Sequence, residues 1–391
     1  MSDILLEAKA LQDEIVAMRR TIHTFAEVGL DLPQTTAFVR QKLTEFGLVP
    51  VDCGPGITCQ LGSGGKVLLL RCDMDALPMA EETGLPFAAQ NGACHSCGHD
   101  AHTAMLLAAA KLLKAHESEL KGTVKLMFQP AEEQLAGATA MIRAGVLESP
   151  KVDAAMALHT AVGREDSTVG CLQYVPGTAM NSGDAVKITV TGVGAHGSTP
   201  YLGVDAISAA AHIVVALEEI IAREVPSTDG SVLIVGTIHG GSTCNTVSGS
   251  CEMECSIRAT SYESRDFLKR RIKEVAEGTA AVYRAKAEVE YVYGMPPLVN
   301  DEQVTADMAR YSASILPPQD VQQVPPVAGT EDFTDIAAHV PACYFMLGAG
   351  SIGEGYTLSA HNPAMMIDES VFYKGAALYA GCAMQWLAEH Q

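Results

Sequence analysis

Apolar residues recur three and four positions apart through ILLEAKALQDEIVAMRRTIHTFAEVG (4–29) and TAFVRQKLTEFGL (36–48). That is the period of one helical face, so both stretches predict helices. The next apolar runs are short and unbroken: KVLLLRC (66–72), GTVKLMFQ (122–129) and VDAAMALH (152–159). Helical patterns lie between them, in TAMLLAAAKLLKAHESEL (103–120) and AGATAMIRAGVLE (136–148). Strands that read as continuous apolar runs between helices predict an α/β sheet buried on both faces.

After Gly183 the rhythm changes. DAVKITVTG (184–192) reads as strand, 203–224 as helix, 230–241 and 250–260 as strands, 264–285 as helix and AEVEYVYG (287–294) as strand. The order βαββαβ is that of a ferredoxin-like unit. GMPPLVND (294–301) marks its exit, because paired prolines cannot continue a strand. The remainder returns to helix, the strand pattern PACYFMLGAG (341–350) and a closing helix. The expected architecture is therefore a catalytic α/β domain with a mixed sheet and helices on both faces. It is built from 1–182 and 298–391, with an inserted ferredoxin-like α+β domain at 183–297.

Composition narrows the partners. With 48% hydrophobic residues in 391, the chain can bury sizeable cores. Its net charge of −20 disfavours nucleic acid and anionic membrane, which bind clustered Lys and Arg, and leaves a small molecule as the expected partner. No apolar run approaches the ~20 residues of a membrane span. The first twenty residues lack a signal peptide's uninterrupted apolar core. Eleven cysteines, an odd number, lie scattered without a disulfide framework, so reduced thiols and a cytoplasmic location are expected.

The chemistry gathers after the strands. LLLRC is followed by Asp73 and Asp75, KLMFQPA by Glu132 and Glu133, and AAMAL by His159. In open α/β sheets functional groups collect outside the carboxyl ends of strands, so these residues converge. A further cluster, CHSCGHDAH (94–102), runs into a helix, with Gly98 relaxing the backbone between Cys97 and His99. Asp100 is placed to cap that helix or to orient His99. A thiolate with an imidazole suits zinc and its neighbours better than magnesium or calcium. A structural zinc ribbon through Cys94 and Cys97 lacks a second CxxC. GSGG (62–65) precedes a strand rather than opening a helix, which counts against a nucleotide-dependent oxidoreductase.

The motifs RCDMDALP, CGHDAH, FQPAEE, LHT, GAHGSTP, GTEDF and HNP, in this order nearly from end to end, resemble the M20 metallopeptidase family. They look most like its amidohydrolase branch of hippurate, indole-acetyl-amino-acid and N-acyl-amino-acid hydrolases. The resemblance implies two divalent ions per subunit, Zn or Mn with Co or Ni as alternatives. Their ligands would be Cys97, His99, Glu133, His159 and His361. It also implies Glu132 as general base on a metal-bound water and Asp75 as the carboxylate orienting a ligand histidine. His196, exposed in a glycine-rich turn, would reach a partner subunit's site in a homodimer formed through the inserted domain. Asn245 would bind substrate, and Arg258 would hold its carboxylate unless it serves an ordinary strand ion pair. Asp73 stands where most peptidase branches carry a histidine. His95 and His102 stay open, since either could stand behind a metal ligand and support it.

The expected activity is hydrolysis of N-acyl or N-aroyl amino acids to a carboxylic acid and a free amino acid. The alternatives are a dipeptidase or carboxypeptidase with the same machinery, or an N-acetyl-diaminopimelate-type deacetylase. A catalytically silent scaffold is disfavoured by the retention of Glu132 beside every ligand type. Glu132 and Glu133 are expected in an extended segment, where adjacent side chains point opposite ways.

Overall fold

A computed structural model describes residues 2–327 and 329–391. The chain divides into two compact units, Met1–Ala179 with Val299–Pro325 and Asp332–Gln391, and Met180–Leu298 with Pro326–Glu331.

The first unit holds an eight-stranded mixed sheet. Its order is Val51–Cys53, Gly56–Gly62, Thr123–Gln129, Val67–Asp73, Ala154–Ala161, Ala342–Gly348, Leu172–Tyr174 and Val321–Gln323. The central strands Thr123–Gln129, Val67–Asp73, Ala154–Ala161 and Ala342–Gly348 run parallel, so their carboxyl ends share one edge. Every side chain of Val67–Asp73 and Thr123–Gln129 is buried, as the unbroken apolar runs require. The helices His99–Ala115 and Phe372–Glu389 pack on each other and on this sheet. Their Ala, Leu and Met side chains merge with the strands into one core.

Local departures from expectation have physical causes. The first long helical pattern divides into Ser2–Ala10 and Gln12–Phe25 at Leu11 (φ −91°, ψ −2°). It ends at Ala26, whose φ of 40° is closed to proline. The pattern at 136–148 yields only the short helix Gly137–Arg143. Two outer strands, Val51–Cys53 and Gly56–Gly62, form a hairpin around Gly54 and Pro55 whose mixed composition hides it from periodicity.

In the second unit Gly183–Thr191, Val232–Gly240, Ser250–Arg258 and Lys286–Met295 form an antiparallel sheet with Val232–Gly240 and Lys286–Met295 at its edges. The helices Ala206–Glu219 and Tyr262–Val282 cover one face, over Val186, Ile188, Val190, Met253 and Ile257. This is the ferredoxin-like arrangement. Its buried carboxylate, Asp184, is held by Arg265 Nη2 at 2.7 Å and Lys269 Nζ at 2.8 Å.

Candidate active site

The parallel strands of the first unit release their loops at one edge, and one buried carboxylate ties those loops together. Asp75 Oδ1 accepts the backbone N–H of Glu132 at 3.1 Å, and Oδ2 accepts that of Glu133 at 3.1 Å. Asp75 Oδ1 also lies 3.3 Å from Nδ1 of His99. The segment carrying Glu132 and Glu133 is a turn, not the extended strand end expected. Ala131 enters it at φ 53°, and Leu135 N–H closes it on the Glu132 carbonyl at 2.7 Å. The two side chains therefore do not oppose one another. Both approach His99 Nε2, Glu132 through Oε2 at 3.8 Å and Glu133 through Oε1 at 3.8 Å.

Cys97 and His99 flank Gly98, which caps the helix in the left-handed region (φ 88°). A Cβ there would come within 2.4 Å of Thr160 Oγ1, so only glycine lets this loop lie against the strand carrying His159. Cys97 Sγ is 3.5 Å from His159 Nε2. His361 is held from the far end of the chain, its N–H donating to the Ser96 carbonyl at 2.8 Å, and its Nε2 lies 3.3 Å from Glu133 Oε2. Asp100 does not orient His99. It accepts from His23 Nδ1 at 2.6 Å and forms an ion pair with Arg19, whose Nε lies 2.6 Å away.

Five of the anticipated residues thus meet in two overlapping triads, Cys97, His99 and His159, and Cys97, Glu133 and His361. Within each triad the donor atoms lie within 4.8 Å of one another, and Cys97 belongs to both. The residues fit divalent metal. His99 Nε2 and Glu133 Oε1 are buried without a hydrogen-bond partner, a costly state that cation binding by the two triads would relieve. His159 Nδ1 faces the Thr160 carbonyl at 2.6 Å, and a carbonyl only accepts, so Nδ1 carries the proton and Nε2 keeps its lone pair. Burial, with His102 adjacent, holds the His159 pKa well below the ordinary value, so the ring is neutral. Burial pushes the Cys97 thiol up to about 12, against the pull of His99. Burial opposes ionisation of Glu133, but His361 and His99 together hold its pKa below the usual value. Sulfur, nitrogen and carboxylate donors together suit zinc and related transition ions.

In the second unit, His196 lies in the two-residue strand Ala195–His196, paired with Thr246–Val247. Gly197 N–H donates to the Asn245 carbonyl at 2.7 Å, so His196 and Asn245 are neighbours, both exposed. His196 borders an open groove of about 830 Å³ that is also lined by His239, Thr246 and Glu252. Ser198 N–H donates to His196 Nδ1 at 3.1 Å, leaving the proton of the neutral ring on the exposed Nε2. Arg258 donates to Ser256 Oγ and to the Ile257 carbonyl, at 3.1 and 2.9 Å, rather than forming the strand ion pair that was the alternative to substrate binding.

Sequence reasoning left the parts of Asp73 and His102 open. His102 follows His99 by three positions on one helix, a spacing that shares a face. The structure places its Nδ1 2.6 Å from Asp73 Oδ1.

The family described as Peptidase family M20/M25/M40 matches residues 69–385. The chain is 37% identical to the N-acetyl-L-cysteine deacetylase of Bacillus subtilis over 94% of its own length and 86% of that protein's. It is 34% identical to the IAA-amino acid hydrolase ILR1-like 4 of Arabidopsis thaliana, over 96% of its length and 86% of the other. It is also 33% identical to thermostable carboxypeptidase 1 of Saccharolobus solfataricus, over 97% of each chain. Among solved structures, the Bacillus subtilis YXEP protein, a dinuclear metal-binding peptidase from the M20 family, superposes with a TM-score of 0.84 at 30% identity. That match covers 97% of this chain and 99% of the other.

Proposed function

We propose, from the premise that this chain belongs to peptidase family M20/M25/M40 and is a hydrolase acting on amide bonds, that it cleaves N-acyl or N-aroyl amino acids to a carboxylic acid and a free amino acid. The observation that carries the reading is the pair of triads sharing Cys97, with the Glu132 carboxylate beside them. Cys97, His99 and His159 would hold one divalent ion and Cys97, Glu133 and His361 a second. When bound, such a pair lowers the pKa of water to about 7 and polarises the scissile carbonyl.

The remaining work falls to side chains. Glu132 takes the proton of the attacking water and returns it to the leaving nitrogen. Asp75 fixes the His99 ring and the turn that aims Glu132. His196 offers its Nε2–H to the oxyanion that develops on the carbonyl, from a second copy of the chain. Asn245 and Arg258 bind the substrate, the latter through its carboxylate.

A homodimer through the second unit is supported by its surface. The edge strand Val232–Gly240 exposes Ile234 and Ile238, and the neighbouring helix exposes Ile207 and Val215. Such an edge invites pairing with a second chain. Among the described residues no helix is long and apolar enough to cross a membrane. All eleven cysteines are free, which fits a reducing compartment such as the cytoplasm.

Likeness to thermostable carboxypeptidase 1 supports a second reading, release of a C-terminal amino acid from a dipeptide. A hydrolysis panel separates them: acetyl, benzoyl, long-chain acyl and indole-acetyl amino acids beside dipeptides with free amines. Each is run with chelator and with Mn²⁺, Zn²⁺ or Co²⁺ restored. The proposal expects metal-dependent cleavage of the acylated series. Turnover confined to free-amine dipeptides supports the second reading, and turnover unaffected by chelation contradicts both.

A further inference from the structure

We infer that His102, braced by Asp73 and Arg71, is a positioning residue that sets His159 for cation binding, an inference that rests on the metal reading above. The brace begins in the strand Val67–Asp73. Arg71 is buried and donates to Asp73 Oδ2 at 2.7 Å, to Gln129 Oε1 at 2.9 Å and to Asp332 Oδ1 at 2.9 Å. Asp73 Oδ1 then meets His102 Nδ1 at 2.6 Å. On the other side of the ring, the Thr160 backbone N–H donates to His102 Nε2 at 2.8 Å, with Thr160 Oγ1 at 2.9 Å. Thr160 in turn supplies the carbonyl that holds His159 Nδ1 at 2.6 Å.

These contacts determine where the protons sit. A backbone N–H can only donate, so His102 Nε2 accepts, and its proton lies on Nδ1, directed at Asp73. Both ring nitrogens are then spent, and His102 has no lone pair left for an ion. Asp73 has one oxygen on His102 and the other on Arg71. Its place in the sequence, two residues before Asp75, therefore serves the brace. The same residue that His102 grips, Thr160, dictates which nitrogen of His159 is free. The His102 and His159 rings also touch, with centroids 4.3 Å apart, so the grip is both polar and steric. His102 acts on the site through Thr160 and His159.

The test titrates Zn²⁺ alone into metal-free wild-type, His102→Ala and His102→Gln proteins, reading stoichiometry and dissociation constants by calorimetry and metal analysis. Wild type is expected to bind two ions. His102→Ala should weaken one of them by about 10–100-fold while the other stays near wild type, the scale seen when a ligand loses its orienting partner. Glutamine presents an acceptor to Thr160 and a donor to Asp73, and should restore much of the loss. A His102→Ala protein that keeps both ions at wild-type affinity overturns the inference and leaves the hydrolase reading intact. Wild type binding no ion overturns the metal reading and the inference with it.

Imidazole ¹⁵N NMR of the metal-free wild-type protein gives a second readout that needs no variant to fold. The expected signature for His102 is a protonated Nδ1 and an unprotonated Nε2. The opposite tautomer contradicts the brace.

Discussion

The carboxylate of Asp75 accepts the backbone N–H of Glu132 at 3.1 Å, so the residue that contacts His99 also sets the turn presenting the proposed general base. One acceptor couples two loops from neighbouring strands. A buried carboxylate taking two backbone donors and an imidazole is fully engaged, and no neutral side chain of its size can match all three.

Asp75→Asn is therefore expected to keep the fold and lose function. The amide NH₂ would face the N–H of Glu132 or Glu133, donor against donor. Metal affinity and turnover should fall together by about 10–100-fold. Steady-state kinetics beside a metal titration checks this; unchanged values for both would release Asp75 from the role.

Glu132→Gln should behave differently. The ligand set is untouched, so the ions stay, while proton transfer is lost and turnover drops by about 10²–10⁴-fold. Metal analysis alongside kcat distinguishes the two. Near-normal turnover in a fully metallated variant would remove Glu132 from the base role.

His196→Ala should reduce turnover without changing metal content. Mixing it with Glu132→Ala chains should recover partial activity, because mixed dimers pair one intact His196 with one intact Glu132. Absence of recovery after confirmed subunit exchange would place the whole site within one chain.

The second unit carries an acid-sensitive contact far from this chemistry in sequence. Burial disfavours the charge on Asp184, but hydrogen bonds from Arg265 and Lys269 outweigh it and hold its pKa below the ordinary 3.8. A depressed carboxylate pKa contributes stability that is complete above the unfolded value and fades as pH falls through the folded one. Asp184→Asn should thus cost about 1–3 kcal/mol near neutrality. The gap from wild type should narrow in urea melts at progressively lower pH, below about 4. A gap independent of pH would show that the charge of Asp184 contributes nothing.

The parallel core was legible because its strands are unbroken apolar runs, and the second unit because its strands and helices alternate in a known order. Cys97, His99, Glu133, His159 and His361 were legible through motif resemblance and strand ends, and the fold gathers all five. The outer hairpin at Val51–Cys53 and Gly56–Gly62 was not, since a short glycine-rich pair has no clear period. Nor was the turn at Glu132, because its shape comes from Asp75, more than fifty residues away. The part played by His102 depends on Thr160 from another strand, a contact visible only when the helix and the sheet are packed.

The central claim is that two divalent ions sit among five side chains of one chain. Anomalous diffraction at the metal edge, on crystals grown with Zn²⁺ or Mn²⁺, tests it most directly. The expected result is two peaks, one bounded by Cys97, His99 and His159, the other by Cys97, Glu133 and His361. A single peak, or peaks whose ligands exclude Cys97, would contradict it.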